Sequence, residues 1–371
     1  MTSITRPEGP SPKPGIRAIA PYVPGKSSTG SGGRVWKLSS NENPLGAPPA
    51  AVAAAQQAIA GGIEFYPAPG APALRAAIAR RYGLDEERIV CSSGSDELIA
   101  LLCNGYLAPG DEMVQTVHGF NIYAIQTLAA GGTPVFAPEN NLTTDVDAVL
   151  AAVTERTRLV FIANPNNPTG TYSPASEMKR LAQALPRNVL LVIDAAYAEY
   201  VQAGDYDCGL DLATTMDNVV MTRTFSKIHG LAGLRIGWLY GPAPVVDTVN
   251  RIRGPFNLST PAIAAGVAAM EDSTHEAASV AHNAVWLPRT ARALEGLGLT
   301  VTPGAGNFVL VHFPDEDGHR APDADRALQA AGILARRMES YHLPNALRIT
   351  IGAPEAMELT IATLARFLGR T

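Results

Sequence analysis

Three continuous apolar runs, each breaking off into polar residues, constrain this chain more than any other feature. They are Leu159–Ala163 before Asn164, Val189–Ile193 before Asp194, and Val219–Met221 before Thr222. A run without polar alternation describes a strand covered on both faces, which is the pattern of a parallel sheet. Ligands of open α/β sheets gather at the carboxyl ends of such strands, so the polar residues that end each run are where chemistry is expected. Between about residues 45 and 275, strand patterns alternate with helical ones, including 50–60, 72–82 and a helix over 95–107 that opens with Asp96-Glu97. This predicts an α/β fold in which helices sandwich a mostly parallel sheet. Beyond about 276, a long helical stretch through His282–Leu294, expected to kink or break at Pro288, leads to strands at 299–301, 308–311 and 347–351 of a smaller α+β domain. The expected organisation is a disordered tail over 1–14, a large domain over 45–275, and a small domain made of 15–44 with 276–371. A second flexible stretch is expected at 26–33, which is rich in glycine and serine.

The third run leads into Thr222-Arg-Thr-Phe-Ser-Lys-Ile-His-Gly-Leu-Ala-Gly-Leu-Arg235. A lysine between an apolar strand and a glycine-rich turn sits in a cleft rather than on an open surface. Desolvation and nearby positive charge lower its pKa and make the amine a nucleophile toward a carbonyl. Thr224, Ser226 and Arg235 suit a phosphate. Lys227 beside such a cup points to a Schiff base with pyridoxal phosphate; a structural loop lysine is the plainer alternative. Asp194 at the end of the second run can hold a pyridine nitrogen protonated, or simply cap a following helix. Tyr197, three residues on, can donate to the ring's phenolic oxygen. Asn167 in Asn164-Pro-Asn-Asn-Pro-Thr-Gly170 can set an amide against the ring, in a segment that also reads as an ordinary turn. Gly94-Ser95-Asp96 opens a helix whose free N–H groups suit an anion.

Taken together and in order, these motifs resemble fold-type I pyridoxal-phosphate aminotransferases, and within them the histidinol-phosphate aminotransferase family. Ser39-Ser-Asn-Glu-Asn-Pro-Leu-Gly46, Phe65-Tyr-Pro67 and Leu347-Arg-Ile-Thr-Ile-Gly352 complete the likeness, which spans roughly residues 14 to 369. The resemblance implies a homodimer with composite sites, Tyr66 reaching the cofactor and Tyr22 the substrate across the interface. It implies Phe120 as the aromatic on the ring face, with Tyr123 as the alternative, although His118-Gly119 replaces the family's usual Pro-Thr. It also implies Arg348 on a substrate carboxylate, Arg336 (with Arg337 second) on a substrate phosphate, and Asn43 lining the site through backbone contacts. The implied reaction is amino transfer from L-histidinol phosphate to 2-oxoglutarate in histidine biosynthesis, giving imidazole-acetol phosphate and glutamate. An aromatic-amino-acid aminotransferase, a threonine-phosphate decarboxylase and a non-catalytic sensor are the rivals.

Composition sets outer bounds. The net charge of −5 offers no basic footprint for nucleic acid, so small molecules are the expected partners. Cys91, Cys103 and Cys208 fit neither a disulfide framework nor a metal site, in keeping with a reducing cytoplasm. Neither a signal peptide nor an apolar run long enough to span a bilayer is evident.

Overall fold

The structure is a computed structural model that describes residues 10–21, 25 and 34–370. The apolar runs form the middle of a seven-stranded sheet. Its strands are β1 (Ile89–Ser92), β2 (Glu112–Thr116), β3 (Thr133–Ala137), β4 (Thr157–Ala163), β5 (Leu190–Asp194), β6 (Val219–Thr224) and β7 (Gly237–Tyr240). Their order across the sheet is β1-β7-β6-β5-β4-β2-β3, and β7 alone runs antiparallel to its neighbours. Unbroken apolar stretches follow directly from this placement. Val160, Ile162, Leu191 and Ile193 enter one core cluster, while Leu159, Phe161, Leu190 and Val192 enter another on the opposite face. Burying each such side chain contributes roughly 1.5–3 kcal/mol, so neither face tolerates a polar alternate.

Helices α1 (Pro49–Ala60), α2 (Pro72–Tyr82), α3 (Ser95–Tyr106), α4 (Asn121–Ala130) and α5 (Thr260–Glu271) belong to this body, α1 and α2 packing on α5. Helix α6 (Ser273–Gly296) follows. The expected break at Pro288 does not occur: one helix of 24 residues runs through it. Trp286, Thr290 and Leu294 are buried on both sides of the proline, so packing offsets the roughly 3 kcal/mol of a lost helix bond and ring clash. The Asp272 carboxylate caps the helix start by accepting from the His275 N–H at 2.9 Å.

The C-terminal region holds a second, antiparallel sheet of β8 (Thr300–Thr302), β9 (Phe308–His312), β10 (Arg336–Met338) and β11 (Leu343–Thr350), ordered β8-β9-β11-β10. It has its own core of Val309, Val311, Leu347 and Ile349 with Trp286 and Met357. Trp36–Lys37 pairs in parallel with Ile333–Leu334, and Leu38 joins this second core. A short helix spans Pro14–Ala18; most of the 1–14 tail and the 26–33 stretch lie outside the described residues. Among the described residues, no helix is long and apolar enough to cross a membrane.

Candidate active site

A cavity of about 270 Å³ lies between the carboxyl edge of the large sheet and the antiparallel sheet. Asp194 ends β5 at its floor and is only 5% exposed. Its Oδ2 accepts from the Tyr123 hydroxyl at 2.7 Å and its Oδ1 from Thr222 Oγ1 at 3.2 Å. Burial pushes its pKa up to about 6, against the lowering effect of those two donors. Both oxygens are thus engaged by side chains beneath the cavity, and Asp194 caps no helix.

Lys227 lies three residues beyond β6. Its Nζ donates to the Ser40 carbonyl at 3.0 Å. Burial first, and then the Arg348 cation, push its pKa down to about 8, with Glu42 and Asp96 opposing. The turn after it needs glycine: Gly230 has φ +64°, and a Cβ there would lie 2.0 Å from the Gly46 carbonyl oxygen. Tyr197 crosses Phe308 edge-on at 5.3 Å, and its hydroxyl accepts from Asn41 Nδ2 at 2.8 Å.

The anion end of the cavity is built where α3 begins. Ser95, Thr224, Ser226 and Arg235 all line it. Arg235 Nη1 donates to Ser226 Oγ at 3.2 Å and Nη2 meets Asp96 Oδ2 at 3.2 Å. Asp96, expected among the cofactor contacts, therefore anchors the guanidinium. Gly94 makes the approach possible, since a Cβ there would sit 2.3 Å from Arg235 Nη2.

Across the cavity, Asn164-Pro165 and Asn167-Pro168 are both cis, and Asn167 Oδ1 accepts from Arg348 Nη1. Arg348 Nη2 donates to the Ser39 carbonyl at 2.8 Å. Arg336 stands opposite Arg348 in the β10–β11 register, and both line the cavity. Arg337, one residue on, faces away and pairs with Glu339. Phe120 lines the cavity ahead of α4 and meets Tyr123 edge-on at 5.7 Å. Tyr123 stacks on Phe161 at 4.6 Å with its hydroxyl on Asp194, so it is the carboxylate's partner rather than a second ring-facing aromatic. The unusual His118 is held by Glu139, Nδ1 to Oε2 at 2.8 Å.

Of the other expected residues, two do not line this cavity and one is not described. The Asn43 side chain sits behind the cavity, donating to the Ile228 carbonyl at 2.7 Å and to Ser279 Oγ at 2.9 Å, so it braces the lysine loop. Tyr66 is 80% exposed and stacks on Phe256 at 4.5 Å, outside the cavity of its own chain. Tyr22 lies outside the described residues. The structure adds Asn41, Thr222 and Tyr123 as contacts of site groups. Asn41 was within reach of sequence reasoning, lying two residues before Asn43 in one motif. Tyr123 follows Phe120 by one helical turn, which points both toward the same end of the sheet.

The arrangement fits pyridoxal phosphate. A helix N-terminus with two serine hydroxyls and a guanidinium suits the phosphate. A buried carboxylate with a raised pKa lacks only a cation such as a pyridinium N–H, and an amine with a lowered pKa stands ready for an aldehyde. A family model described as aminotransferase class I and II matches residues 34–364, and the chain belongs to that family. Histidinol-phosphate aminotransferase of Rhodopseudomonas palustris strain HaA2 is 55% identical over 362 residues, 97% of this chain and 99% of that one. The protein of the same name from strain TIE-1 is 54% identical over the same length. Among solved structures, histidinol-phosphate aminotransferase from Sinorhizobium meliloti in complex with pyridoxal-5'-phosphate superposes with a TM-score of 0.82 at 29% identity, covering 91% of this chain and 92% of that one. Aspartate aminotransferase from Thermus thermophilus with maleate, 22% identical with a TM-score of 0.82 over 97% of this chain and all of that one, shares the fold.

Proposed function

We propose that the chain is a pyridoxal-phosphate-dependent transaminase that moves the amino group of L-histidinol phosphate to 2-oxoglutarate, as its relatives' names indicate, in histidine biosynthesis. The observation that carries the substrate is the pair Arg336 and Arg348, which face each other across two strands and both line the cavity. Histidinol phosphate has no α-carboxylate, so its phosphate needs the guanidiniums that the carboxylates of glutamate use in the other half-reaction. A planar fork suits both anions.

The cofactor, when bound, supplies an aldehyde that exchanges amino groups and a ring that withdraws electrons. Lys227 would take and carry the proton of the substrate's α-carbon, a role that its pKa near 8 permits close to neutral pH. Asp194 would hold the proton of the pyridine nitrogen. Ser95, Ser226, Thr224 and Arg235 would hold the cofactor phosphate, Asn167 and Tyr197 its phenolic oxygen, and Phe120 its ring. The working unit is a cytoplasmic homodimer. Its support is the apolar edge of Ile63, Phe65 and Tyr66, which are 70%, 75% and 80% exposed. We also divide the chain near residue 275 into a cofactor domain and a smaller domain that 15–44 joins.

Specificity constants of wild type and Arg336→Ala for L-histidinol phosphate, glutamate and phenylalanine test this reading. A bond to a charged group is worth about 1.5–3 kcal/mol, so the phosphorylated donor loses about ten- to a hundredfold. Phenylalanine, with no side-chain charge, loses least. Equal losses remove Arg336 from phosphate recognition, and a wild type that ignores histidinol phosphate yields to the aromatic aminotransferase reading.

A further inference from the structure

Ser39, Ser40 and Asn41 form a strap across the cavity, and each holds one group of the site. The Ser39 carbonyl accepts from Arg348 and the Ser40 carbonyl from Lys227, while the Asn41 side chain meets Tyr197. Asn41 is 1% exposed and adopts φ 57°, a left-handed conformation that asparagine enters more readily than most residues. Its carbonyl accepts from Asn307 Nδ2 at 3.0 Å, and its N–H donates to Thr350 Oγ1 at 2.9 Å.

The structure turns the amide so that each end has one partner. Thr350 Oγ1 accepts from the Asn41 N–H and gives its own proton to Asn41 Oδ1, 3.2 Å away. Asn41 Nδ2, at the other end, donates to the Tyr197 oxygen at 2.8 Å. Toward Asn41, Tyr197 can only accept. Tyr197 lines the same cavity as Lys227 and Asp194.

We propose that Asn41 is a positioning residue. Through the chain from its backbone N–H to Thr350, back to its own amide and on to Tyr197, it commits the tyrosine proton to the phenolic oxygen of the bound cofactor. This rests on the cofactor reading above. A donor on that oxygen stabilises it as an anion and weakens its hold on the proton shared with the neighbouring Lys227 nitrogen. Replacing the amide by a carboxylate reverses the bond, because a carboxylate can only accept and draws the tyrosine proton to itself.

The test follows the pH midpoint of the visible band that pyridoxal phosphate gives on Lys227. Wild type serves as the control: if it forms no lysine-dependent band, the cofactor reading falls, before any strap variant is measured. Asn41→Asp should raise the midpoint by about one to two pH units, the worth of one hydrogen bond to a charged group. Asn41→Gly keeps the left-handed backbone and both main-chain bonds while losing the amide, and should raise it by less. Thr350→Val should act in the same direction, and Thr350→Ser should restore the wild-type value. In the cofactor-free protein, the Tyr197 phenol, read by difference from Tyr197→Phe, should titrate higher in Asn41→Asp than in wild type. An unchanged midpoint in folded Asn41→Asp overturns the proposal. Should that variant not fold, an unchanged midpoint in Asn41→Gly and Thr350→Val overturns it equally.

Discussion

The two walls of the cavity are built by opposite means. On the large-sheet side, Asp194 and Lys227 sit at or just beyond the ends of buried strands; Thr222 of the neighbouring strand and Tyr123 of helix α4 hold Asp194, and the Ser40 carbonyl reaches Lys227 from afar. On the antiparallel side, Arg336 and Arg348 are cross-strand neighbours, and what aims Arg348 comes from far away in sequence: the Ser39 carbonyl and Asn167 Oδ1. The first wall is rigid because its strands are covered on both faces. The second is precise only once three separated segments have come together. Cofactor chemistry on one wall and anion recognition on the other should therefore fail differently under mutation.

The largest effect belongs to the first wall. Lys227→Ala should lose multiple-turnover transamination by about ten-thousandfold or more, since it removes both the amine that captures the aldehyde and the proton carrier. Cofactor should still bind through its phosphate, detectable by fluorescence titration. Steady turnover by this variant would break the assignment of chemistry to this wall.

Asp194→Asn comes next, and it separates function from stability. Activity should fall about a hundred- to a thousandfold, as when one preorganised electrostatic group is lost. Stability of the cofactor-free protein should move the other way. The folded pKa of Asp194, about 6, lies above its ordinary 3.8, so the folded state holds the proton more tightly. Stability from this group is present below pH 3.8 and is lost as pH rises through about 6, up to on the order of 3 kcal/mol. The asparagine variant lacks that loss. Urea unfolding at pH 4 and pH 7.5 should show it gaining on wild type at the higher pH; parallel behaviour at both would mean that the buried carboxylate carries no such cost.

How much of each wall could be read from sequence follows the same division. Asp194, Tyr197, Lys227 and Arg235 stand in contiguous motifs at strand ends, so local pattern sufficed to place them. At Pro288 the local signal misleads, because packing of Trp286, Thr290 and Leu294 overrides a local breaker. Asn41 and Asn43 stand in one motif, and only the fold shows which amide faces Tyr197 and which braces the lysine loop. Arg336 and Arg337 are adjacent, and strand alternation sends them to opposite faces. Register against Arg348, which no local signal encodes, says which faces inward.

On the second wall, Arg348→Lys keeps the charge but loses the fork that spans Asn167 and Ser39. It should cost about ten- to a hundredfold in kcat/KM for glutamate, mostly through KM. A loss confined to kcat would mean that Arg348 serves the cofactor wall instead.

The smallest effect tests whether the walls are independent at all. Burial is the first cause of the lowered Lys227 pKa, but the Arg348 cation is the second. Removing that charge by Arg348→Met should let the amine of the cofactor-free protein titrate above 8 while remaining below the 10.5 of an ordinary lysine, because the burial is untouched. The pH dependence of acylation at Lys227, located by mass spectrometry, reads this directly. Arg348→Met also releases Asn167, so Asn167→Ala is the necessary companion: it disturbs the same corner but leaves the guanidinium in place. A rise in the first variant and not in the second assigns the coupling to charge. The same argument gives it a use in turnover. A substrate anion that neutralises Arg348 relieves the repulsion on the Lys227 ammonium, so anion binding on one wall raises the proton affinity of the base on the other. If neither variant moves the titration, or if Arg348→Met moves it downward, the two walls do not communicate through charge, and desolvation alone sets the reactivity of the lysine.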